Sequence, residues 1–193
     1  MNYKAEATDE ALICSLKQLM NIMPFDKITV KMITDNADVQ RPTFYKHFKD
    51  KYDVIECIFQ KDIVESVRPL LECNMFYEGM RLMLLNMKRE QSFYIHAARI
   101  EGDNSFWKIM IRVLEQVIME MISDPVDDDT IANPMLTSKN LAEYYSYGIS
   151  FAVFKWINTG MRINVDDVCE ALRFMLSESL TDIVYKRNTK RTI

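Results

Sequence analysis

The stretch Thr29–Lys51, T-V-K-M-I-T-D-N-A-D-V-Q-R-P-T-F-Y-K-H-F-K-D-K, predicts two short helices joined by a tight turn. The apolar residues of the first helix fall on one face, and they are Val30, Ile33 and Ala37. Residues 38–39 interrupt this pattern, and the second helix is expected over residues 40–48. Two short helices with such a turn are typical of a helix-turn-helix, whose second helix enters the major groove of DNA.

The second helix carries many hydrogen-bond donors and few core residues. Only Phe44 and Phe48, four positions apart, are expected to point inwards. The donors are Arg41, Thr43, Tyr45, Lys46, His47, Lys49 and Lys51. We expect Thr29 to cap the first helix, Pro42 to lie near the start of the second, and Asp50 to cap a longer third helix. This composition favours a surface that contacts nucleic acid.

The run A-D-V-Q-R-P-T-F-Y-K-H-F-K-D-K, residues 37–51, resembles the signature of the TetR family of bacterial transcriptional regulators, usually A-G-V-S-x-G-T-F-Y-x-H-F-x-x-K. The matching positions, with two upstream, are Thr29, Ile33, Ala37, Val39, Thr43, Phe44, Tyr45, His47, Phe48 and Lys51. The resemblance implies an all-α fold with a three-helix DNA-binding domain in residues 1–50. It also implies a helical effector-binding and dimerisation domain in residues 51–193, and a homodimer on a palindromic operator.

The signature also assigns expected DNA contacts in this chain. They are Thr29, Gln40, Arg41, Pro42, Thr43, Tyr45, Lys46, His47 and Lys51. Arg41, Pro42 and Thr43 are expected at base edges with Lys46 close by, whereas Thr29, Tyr45, His47 and Lys51 are expected at phosphates. Gln40 and Pro42 replace the usual Ser and Gly, so we expect a different operator sequence. Asp38 replaces the usual turn glycine, and Asp is among the residues that tolerate the left-handed conformation.

Composition supports the helical prediction and limits the alternatives. The chain has 193 residues, 49% of them hydrophobic, with only four Gly and five Pro, which favours long helices over turn-rich sheet. The net charge is −4, but residues 1–51 carry eight Lys and Arg against seven Asp and Glu. The four Cys are scattered without metal or disulfide spacing, and are expected to be reduced thiols. The charged first residues and the short apolar runs predict a cytoplasmic protein.

The remaining sequence predicts a series of helices. A first helix is expected from Thr8 to the region before Pro24, and a long one from Lys51 that Pro69 kinks or ends. Further helices are expected over residues 75–87, 92–99, 104–122, 138–158 and 166–186. The acidic segment 124–129 lacks the alternating ligands and turning glycine of a calcium loop, so we expect a solvated loop and no metal site.

The last two helices resemble the pair that forms the four-helix dimer interface in the TetR family. Apolar residues surround the helix over 138–158, Gly148 allows a close helix contact, and Gly160 is expected to cap the helix end. The interface candidates are Tyr145, Gly148, Ala152, Trp156, Leu172, Met175, Leu176 and Ile183. A core buried within one protomer is the alternative.

Fourteen Met and 11% aromatic residues suggest an adaptable ligand cavity. The effector candidates, on helices that surround the effector in this family, are Met83, Met87, Phe93, Tyr94, His96, Arg99, Phe106, Trp107, Met110, Tyr144, Tyr147 and Phe151. His96 and Arg99 would orient a polar or acidic ligand, although an exposed helix face explains them as well. Residues 91–106 and 144–151 look similar to a subgroup that includes dihydroxyacetone-kinase operon regulators.

Catalytic patterns are missing from the sequence. It has two His, no G-x-S-x-G, no glycine-rich phosphate loop and no metal-spaced cluster, so we expect neither an enzyme nor a cofactor. The prediction is a dimeric repressor of a palindromic operator, released by a small-molecule effector. The alternative is a co-regulator with the same fold that acts through a protein partner and has little DNA affinity of its own.

Overall fold

The computed structural model describes residues 3–122, 133 and 135–182, and within them it contains helices and no strand, which confirms the all-α prediction. The α-helices are α1 (Tyr3–Met20), α2 (Val30–Asn36), α3 (Arg41–His47), α4 (Lys51–Phe59), α5 (Ser66–Glu72), α6 (Phe76–Arg89), α7 (Gln91–Ala97), α8 (Phe106–Ile122), α9 (Ser138–Asn158) and α10 (Val165–Ser177). A 3₁₀ turn covers Phe25–Lys27, and a π-helical segment covers Gln60–Glu65.

Helices α1, α2 and α3 pack on one another and form the head of the molecule. Phe44 of α3 and Phe48, the residue that follows α3, are buried with Leu16, Met20 and Ile33, as the pattern of the second short helix predicts. Burial of each such side chain contributes roughly 1.5–3 kcal/mol. The small apolar core therefore fixes the orientation of α3 against α1 and α2.

The turn between α2 and α3 is a Schellman motif, which satisfies the last carbonyls of α2. The Val39 N–H donates to the Thr34 carbonyl at 3.0 Å, and Asp38 has a φ of 52°. The expected left-handed Asp is thus confirmed. The Thr29 hydroxyl accepts from the Met32 N–H at 3.2 Å, so the predicted cap of α2 is also confirmed.

The long helix expected after Lys51 is divided by the π-helical segment. Pro69 lies inside α5 and the helix runs on to Glu72, so the proline does not end it. The residue four positions before Pro69 is Glu65, the last residue of the π-helical segment. The hydrogen bond that a proline cannot donate therefore falls where the helical register already changes.

Helices α6 to α10 form the body, in which α8 packs along α9, and α6 packs against α5 and α10. The range predicted for α9 is confirmed, and Gly160 ends it with a φ of 75° and a Schellman motif. The helix predicted over residues 166–186 is interrupted after Ser177, and residues 183–186 lie outside the described residues. Glu178 adopts an extended conformation, with φ −103° and ψ 131°, and Ser179 caps a new turn by accepting from the Asp182 N–H. The first helix begins at Tyr3, before the predicted Thr8.

The buried side chains of head and body form one contiguous cluster that runs from α1 to α10. Lys17 of α1 joins the two parts at their surface, because its ammonium pairs with Asp62 at 2.5 Å and with Glu90 at 3.3 Å. Within the described residues, no helix is long and apolar enough to cross a membrane.

Candidate DNA-binding surface and apolar cavity

One face of α3 is exposed and carries most of the predicted DNA contacts. Arg41, Pro42, Tyr45 and Lys46 are exposed, while Phe44 is fully buried on the opposite side. The Arg41 guanidinium lies 5.6 Å from the centre of the Tyr45 ring and donates to its hydroxyl at 3.1 Å. Stacking on an aromatic ring holds a guanidinium extended at the surface. The two side chains therefore form one preformed polar surface at the start of α3.

Gln40 precedes α3 at the capping position, but its side chain makes no capping hydrogen bond. The exposed amide of Gln40 therefore stays available to an external partner. Thr43 is half-buried beside it. Pro42 occupies the first turn, where a backbone N–H would have no acceptor within the helix, so the proline costs no hydrogen bond. The N-terminal end of α3 thus combines an amide, a guanidinium and a hydroxyl, which are the groups that read base edges.

His47 is held inside the head by an acidic residue of α1. Its Nδ1 lies 2.7 Å from the Asp9 carboxylate, and the His47 side chain is 17% exposed. The same carboxylate lies 3.7 Å from the Lys61 ammonium. The contact fixes the imidazole ring, so that only its other nitrogen remains for an external acceptor such as a phosphate.

Lys51 does not extend towards solvent as a phosphate contact would. Its ammonium donates to the carbonyls of Phe25 at 2.8 Å and Ile28 at 2.9 Å, and lies 4.3 Å from the centre of the Phe25 ring. Burial lowers the pKa of Lys51, and nearby Asp26 and Asp50 oppose this shift. This geometry corrects the expected role. Lys51 closes the 3₁₀ turn onto the start of α4, because its ammonium donates to carbonyls of residues 25 and 28 that precede α2.

The predicted third cap is confirmed, since the Asp50 carboxylate accepts from the N–H groups of Tyr52 at 2.7 Å and Asp53 at 2.9 Å. The Lys49 N–H in turn donates to Asp53 at 2.9 Å, while the Lys49 side chain is exposed. The first turn of α4 is thus satisfied by protein groups.

An exposed apolar surface covers one side of α9 and α10. Phe151 is 61% exposed, Tyr147 is 49% exposed and Met175 is 51% exposed. No atom lies within 4 Å of the position that a Gly148 side chain would occupy, so the backbone here is open. Of the interface candidates, Tyr145, Gly148, Ala152, Met175 and Leu176 are exposed or half-buried.

Two interface candidates are corrected because they lie inside the protomer. Trp156 is 2% exposed, and its Nε1 donates to the Ile163 carbonyl at 2.8 Å across the turn after α9. Leu172 is 1% exposed and belongs to α10, which packs against α6 and α9. Ile183 lies outside the described residues. The apolar periodicity predicted burial correctly but did not distinguish the protomer core from a subunit interface.

The structure does not bring the twelve effector candidates into one pocket. Six of the twelve candidates are buried in the core, and they are Met83, Met87, Phe93, Tyr94, Phe106 and Met110. Tyr144, Tyr147 and Phe151 lie on the exposed side of α9, where they line a groove that residues of α10 also line. Trp107 borders this groove. His96 and Arg99 line a separate groove beside residues 20–26 of the head, so they do not face the apolar core. These positions correct the prediction of a single site.

A small cavity of about 50 Å³ lies where the π-helical segment and α5 pack against the body. Its lining is entirely apolar and comprises Ile63, Val64, Val67, Leu71, Phe76, Gly79, Met80, Met83, Leu114, Val117, Ile118, Met121 and Ile149. Met83 is the one predicted effector residue among them. The apolar spacing of residues 63, 64, 67 and 71 was the sequence signal for this wall, but the same spacing is typical of ordinary core.

Burial also disfavours the ionised forms of two side chains, Cys57 and Tyr94. It raises the pKa of the Cys57 thiol to about 11, and it raises the pKa of the Tyr94 hydroxyl well above its usual range. The described residues contain no group of His, Cys, Asp and Glu side chains that could hold a metal ion. The acidic segment 124–129 lies outside the described residues.

Comparison with known proteins identifies the family. Residues 17–58 match the sequence model of the bacterial regulatory proteins of the TetR family, and residues 74–178 match a model of the C-terminal region of its transcriptional regulators. The second match alone covers more than half of the chain. The chain belongs to the TetR family. It is therefore a transcriptional regulator with an N-terminal helix-turn-helix, as the motif predicts.

Two relatives refine this assignment. The chain is 25% identical over 91 residues to the HTH-type dhaKLM operon transcriptional activator DhaS of Lactococcus lactis subsp. lactis (strain IL1403). That match covers 47% of this chain and about half, 49%, of the relative. A solved structure, the dihydroxyacetone kinase operon activator DhaS, matches with a TM-score of 0.58 and 21% identity over 88% of this chain and 93% of the other. The likeness to the solved structure shows a shared fold, and the expected resemblance to dihydroxyacetone-kinase operon regulators is confirmed.

Proposed function

We propose that this TetR-family protein binds a palindromic DNA operator as a homodimer and changes its DNA affinity when a small-molecule effector binds the body. The single observation that carries the DNA-binding part is the exposed face of α3, where Arg41, Tyr45 and Lys46 lie beside Gln40. Lys51 is removed from the proposed contacts because its ammonium is bound within the head. A regulatory rather than catalytic role is consistent with the family.

The exposed side of α9 and α10 supports the homodimer. Phe151, Tyr147 and Met175 present apolar surface that water solvates poorly, and the open backbone at Gly148 permits a close approach. A two-fold axis through this surface would bring α9 and α10 of both protomers together. Two heads related by that axis would face two half-sites of a palindrome.

Repression is the first proposal for the direction of control, because a dimer on promoter DNA blocks polymerase without a further contact. Activation is the second candidate, since both relatives are named as activators. A co-regulator that works through a protein partner is also consistent with the departures at Gln40 and Pro42. Transcription in vitro from a template with the selected operator separates repression from activation by the sign of the change.

The test of the DNA-binding proposal is the selection of duplexes from a random library by the full chain, repeated with Arg41→Ala. We expect a palindromic sequence for the wild type and a changed preference at a symmetric pair of positions for the variant. Lys49→Ala is the matched control, because Lys49 is an exposed lysine beyond the end of α3. Recovery of no sequence above background would refute operator binding and favour the co-regulator.

A further inference from the structure

A groove between the end of α9 and α7 has two arginines in its lining. Its volume is about 490 Å³, and none of its described lining residues is acidic. The polar lining residues are Arg99, Asn158, Thr159 and Arg162, and the apolar ones include Ile95 and Ile157. This basic groove therefore offers charged and amide donors beside an apolar floor.

Neither arginine of the basic groove has a counter-ion. Arg99 and Arg162 are exposed and form no ion pair within the described residues. By contrast, Arg68, Arg81 and Arg112 each pair with a carboxylate. Two guanidinium groups that line one groove repel each other, so a ligand with negative charge is favoured between them.

The turn that carries Arg162 is held in place by the body. The Lys88 ammonium donates to the Met161 carbonyl at 2.8 Å, and the Gln91 side-chain amide donates to the Gly160 carbonyl at 3.2 Å. The Arg162 Nε lies 3.9 Å from the position that a Gly160 side chain would occupy, so the arginine extends over this turn. A preformed site of this kind loses little conformational entropy when a ligand binds.

Arg99 also lines a second groove, of about 320 Å³, which lies beside residues 20–26 of the head. This head groove includes Ile22, whose side chain is 75% exposed, and Asp26, its one acidic lining residue. Because the two grooves share Arg99, they form one extended track from Arg162 to Ile22. The track is basic at the Arg162 end and apolar at the Ile22 end.

His96 of the head groove offers a hydrogen-bond acceptor. Its Nδ1 lies 2.8 Å from the Ser92 carbonyl, and a carbonyl oxygen only accepts, so Nδ1 carries the hydrogen. In the neutral ring, Nε2 is then free to accept from an external N–H. A peptide backbone supplies N–H donors along its length, whereas a phosphate supplies none. The acceptor beside Arg99 therefore favours a peptide over a polyphosphate.

We propose that the basic groove and the head groove together bind an extended acidic peptide segment of another protein. Its carboxylates pair with Arg162 and Arg99, because a planar guanidinium matches a carboxylate with two parallel hydrogen bonds. An apolar side chain of the peptide covers Ile22. The net charge of the chain is −4, so the rest of its surface repels such a segment and the unpaired arginines attract it.

The inference goes beyond operator binding and does not rest on it, since no lining residue of either groove belongs to α2 or α3. A DNA duplex is a stiff rod with its phosphates on a convex surface, so a groove of this size does not fit it. The volume is in the range that holds a few side chains of a peptide.

The first measurement uses the full chain and two fluorescein-labelled peptides of about ten residues, long enough to span both grooves when extended. One peptide consists of glutamates and leucines, and the other has glutamine in place of every glutamate. We expect the acidic peptide to bind about tenfold or more tightly than the neutral one in fluorescence anisotropy, and to lose affinity as salt rises. Equal binding of the two peptides, or no binding of either, would overturn the proposal.

The second measurement compares variants that remove one positive charge each. Arg99→Gln and Arg162→Gln are each expected to lower affinity for the acidic peptide about two- to fivefold, as for exposed ion pairs, and their combination about tenfold. Arg173→Gln is the matched control, because Arg173 is an exposed arginine of α10 without an ion pair in the described part of the chain. An equal loss with Arg173→Gln would reveal unspecific charge attraction and overturn the site.

The apolar end of the track is tested separately with Ile22→Ser. We expect about a fourfold loss of affinity for the acidic peptide, the effect of about one buried methylene group. Unchanged affinity in Ile22→Ser would remove the head groove from the site and overturn the two-groove track.

Competition and sedimentation distinguish the other occupants. Free glutamate at the same carboxylate concentration, and duplex DNA of random sequence, are both expected to leave the acidic peptide bound. Displacement by glutamate would show a small-anion site, displacement by the duplex would show a DNA contact, and either result overturns the proposal. Self-association of the wild type that Arg99→Gln abolishes would show that a second copy of the chain is the occupant.

Operator affinity separates this inference from the proposed function. Arg99→Gln and Arg162→Gln are expected to bind the selected operator as the wild type does. If the wild type binds no duplex, the proposed function fails and the peptide measurements still decide the inference. If the operator is bound but the acidic peptide is not, the inference fails and the proposed function stands.

Discussion

Lys51→Met separates a structural role for Lys51 from a phosphate contact. The substitution keeps most of the alkyl chain but removes the ammonium, which donates to the carbonyls of Phe25 and Ile28 and lies over the Phe25 ring. These carbonyls belong to the connection between α1 and α2, where the Phe25 carbonyl also accepts from the Ile28 N–H at 3.0 Å. We expect the head to lose stability while its DNA-facing surface stays intact.

The size of the loss follows from the contacts. A hydrogen bond to a charged group contributes about 1.5–3 kcal/mol, and the two short bonds share one ammonium. Burial lowers the pKa of Lys51, which indicates that desolvation of the ammonium offsets part of this gain. The net loss is therefore about 2 kcal/mol. For a chain of this length, that corresponds to a decrease in Tm of about 4–8 °C.

The assay combines thermal unfolding with the salt dependence of operator affinity. Lys51→Met is expected to lower Tm and to leave the slope of log K against log salt unchanged, because no phosphate contact is lost. Lys49→Met is the control, since its exposed side chain has no contact in the described residues whose loss would lower Tm. An unchanged Tm together with a slope shallower by about one unit would show that Lys51 contacts a phosphate and refute the structural role.

Three further predictions concern the interface, the core and the thiols. Phe151→Glu is expected to convert the homodimer to a monomer with its helix content retained, because it places a charge on the exposed apolar surface, as sedimentation can measure. Trp156→Ala is expected to destabilise each protomer by about 3–5 kcal/mol in urea unfolding, since Trp156 is buried and hydrogen-bonded within the chain. Iodoacetamide at pH 8 is expected to alkylate the exposed Cys14 and Cys73 well before Cys57, whose pKa is raised to about 11 by burial.

Each of these has a contrary outcome. A Phe151→Glu variant that remains dimeric would place the interface elsewhere. A Trp156→Ala variant that dissociates without loss of protomer stability would return Trp156 to the interface. Mass spectrometry that finds Cys57 alkylated as fast as Cys14 would contradict the burial of that thiol.

The head was predictable because its sequence constrains backbone and contacts together. Thr29 and Asp50 are placed where only a capping residue satisfies the orphan N–H groups, and Phe44 and Phe48 fall one helical turn apart. Lys51 was misjudged because its position in a basic cluster suggested phosphate binding. Sequence spacing gives no information on the carbonyls of residues 25 and 28, which come near it only in the folded chain.

The body was predictable as a set of helices but not as a site. Tyr147 and Trp156 are both aromatic residues of α9, yet one faces solvent and the other the core, because the direction of each depends on which helices α9 contacts. The π-helical segment was missed because its sequence, Q-K-D-I-V-E, carries no glycine or proline. Its one signal was distant, in the amide of Asn86 inside the otherwise apolar run L-M-L-L-N-M of α6, which donates to the Asp62 carbonyl of the segment at 3.1 Å.

The most direct test of the central claim is the stoichiometry and salt dependence of binding between the full chain and its selected duplex. Two protomers per duplex are expected, with log K falling steeply as log salt rises, by about 0.9 for each phosphate neutralised. Arg41→Ala should lose preference for the selected sequence over a scrambled duplex. Binding of equal strength to both duplexes by the wild type, or no binding at low salt, would contradict operator recognition by α3.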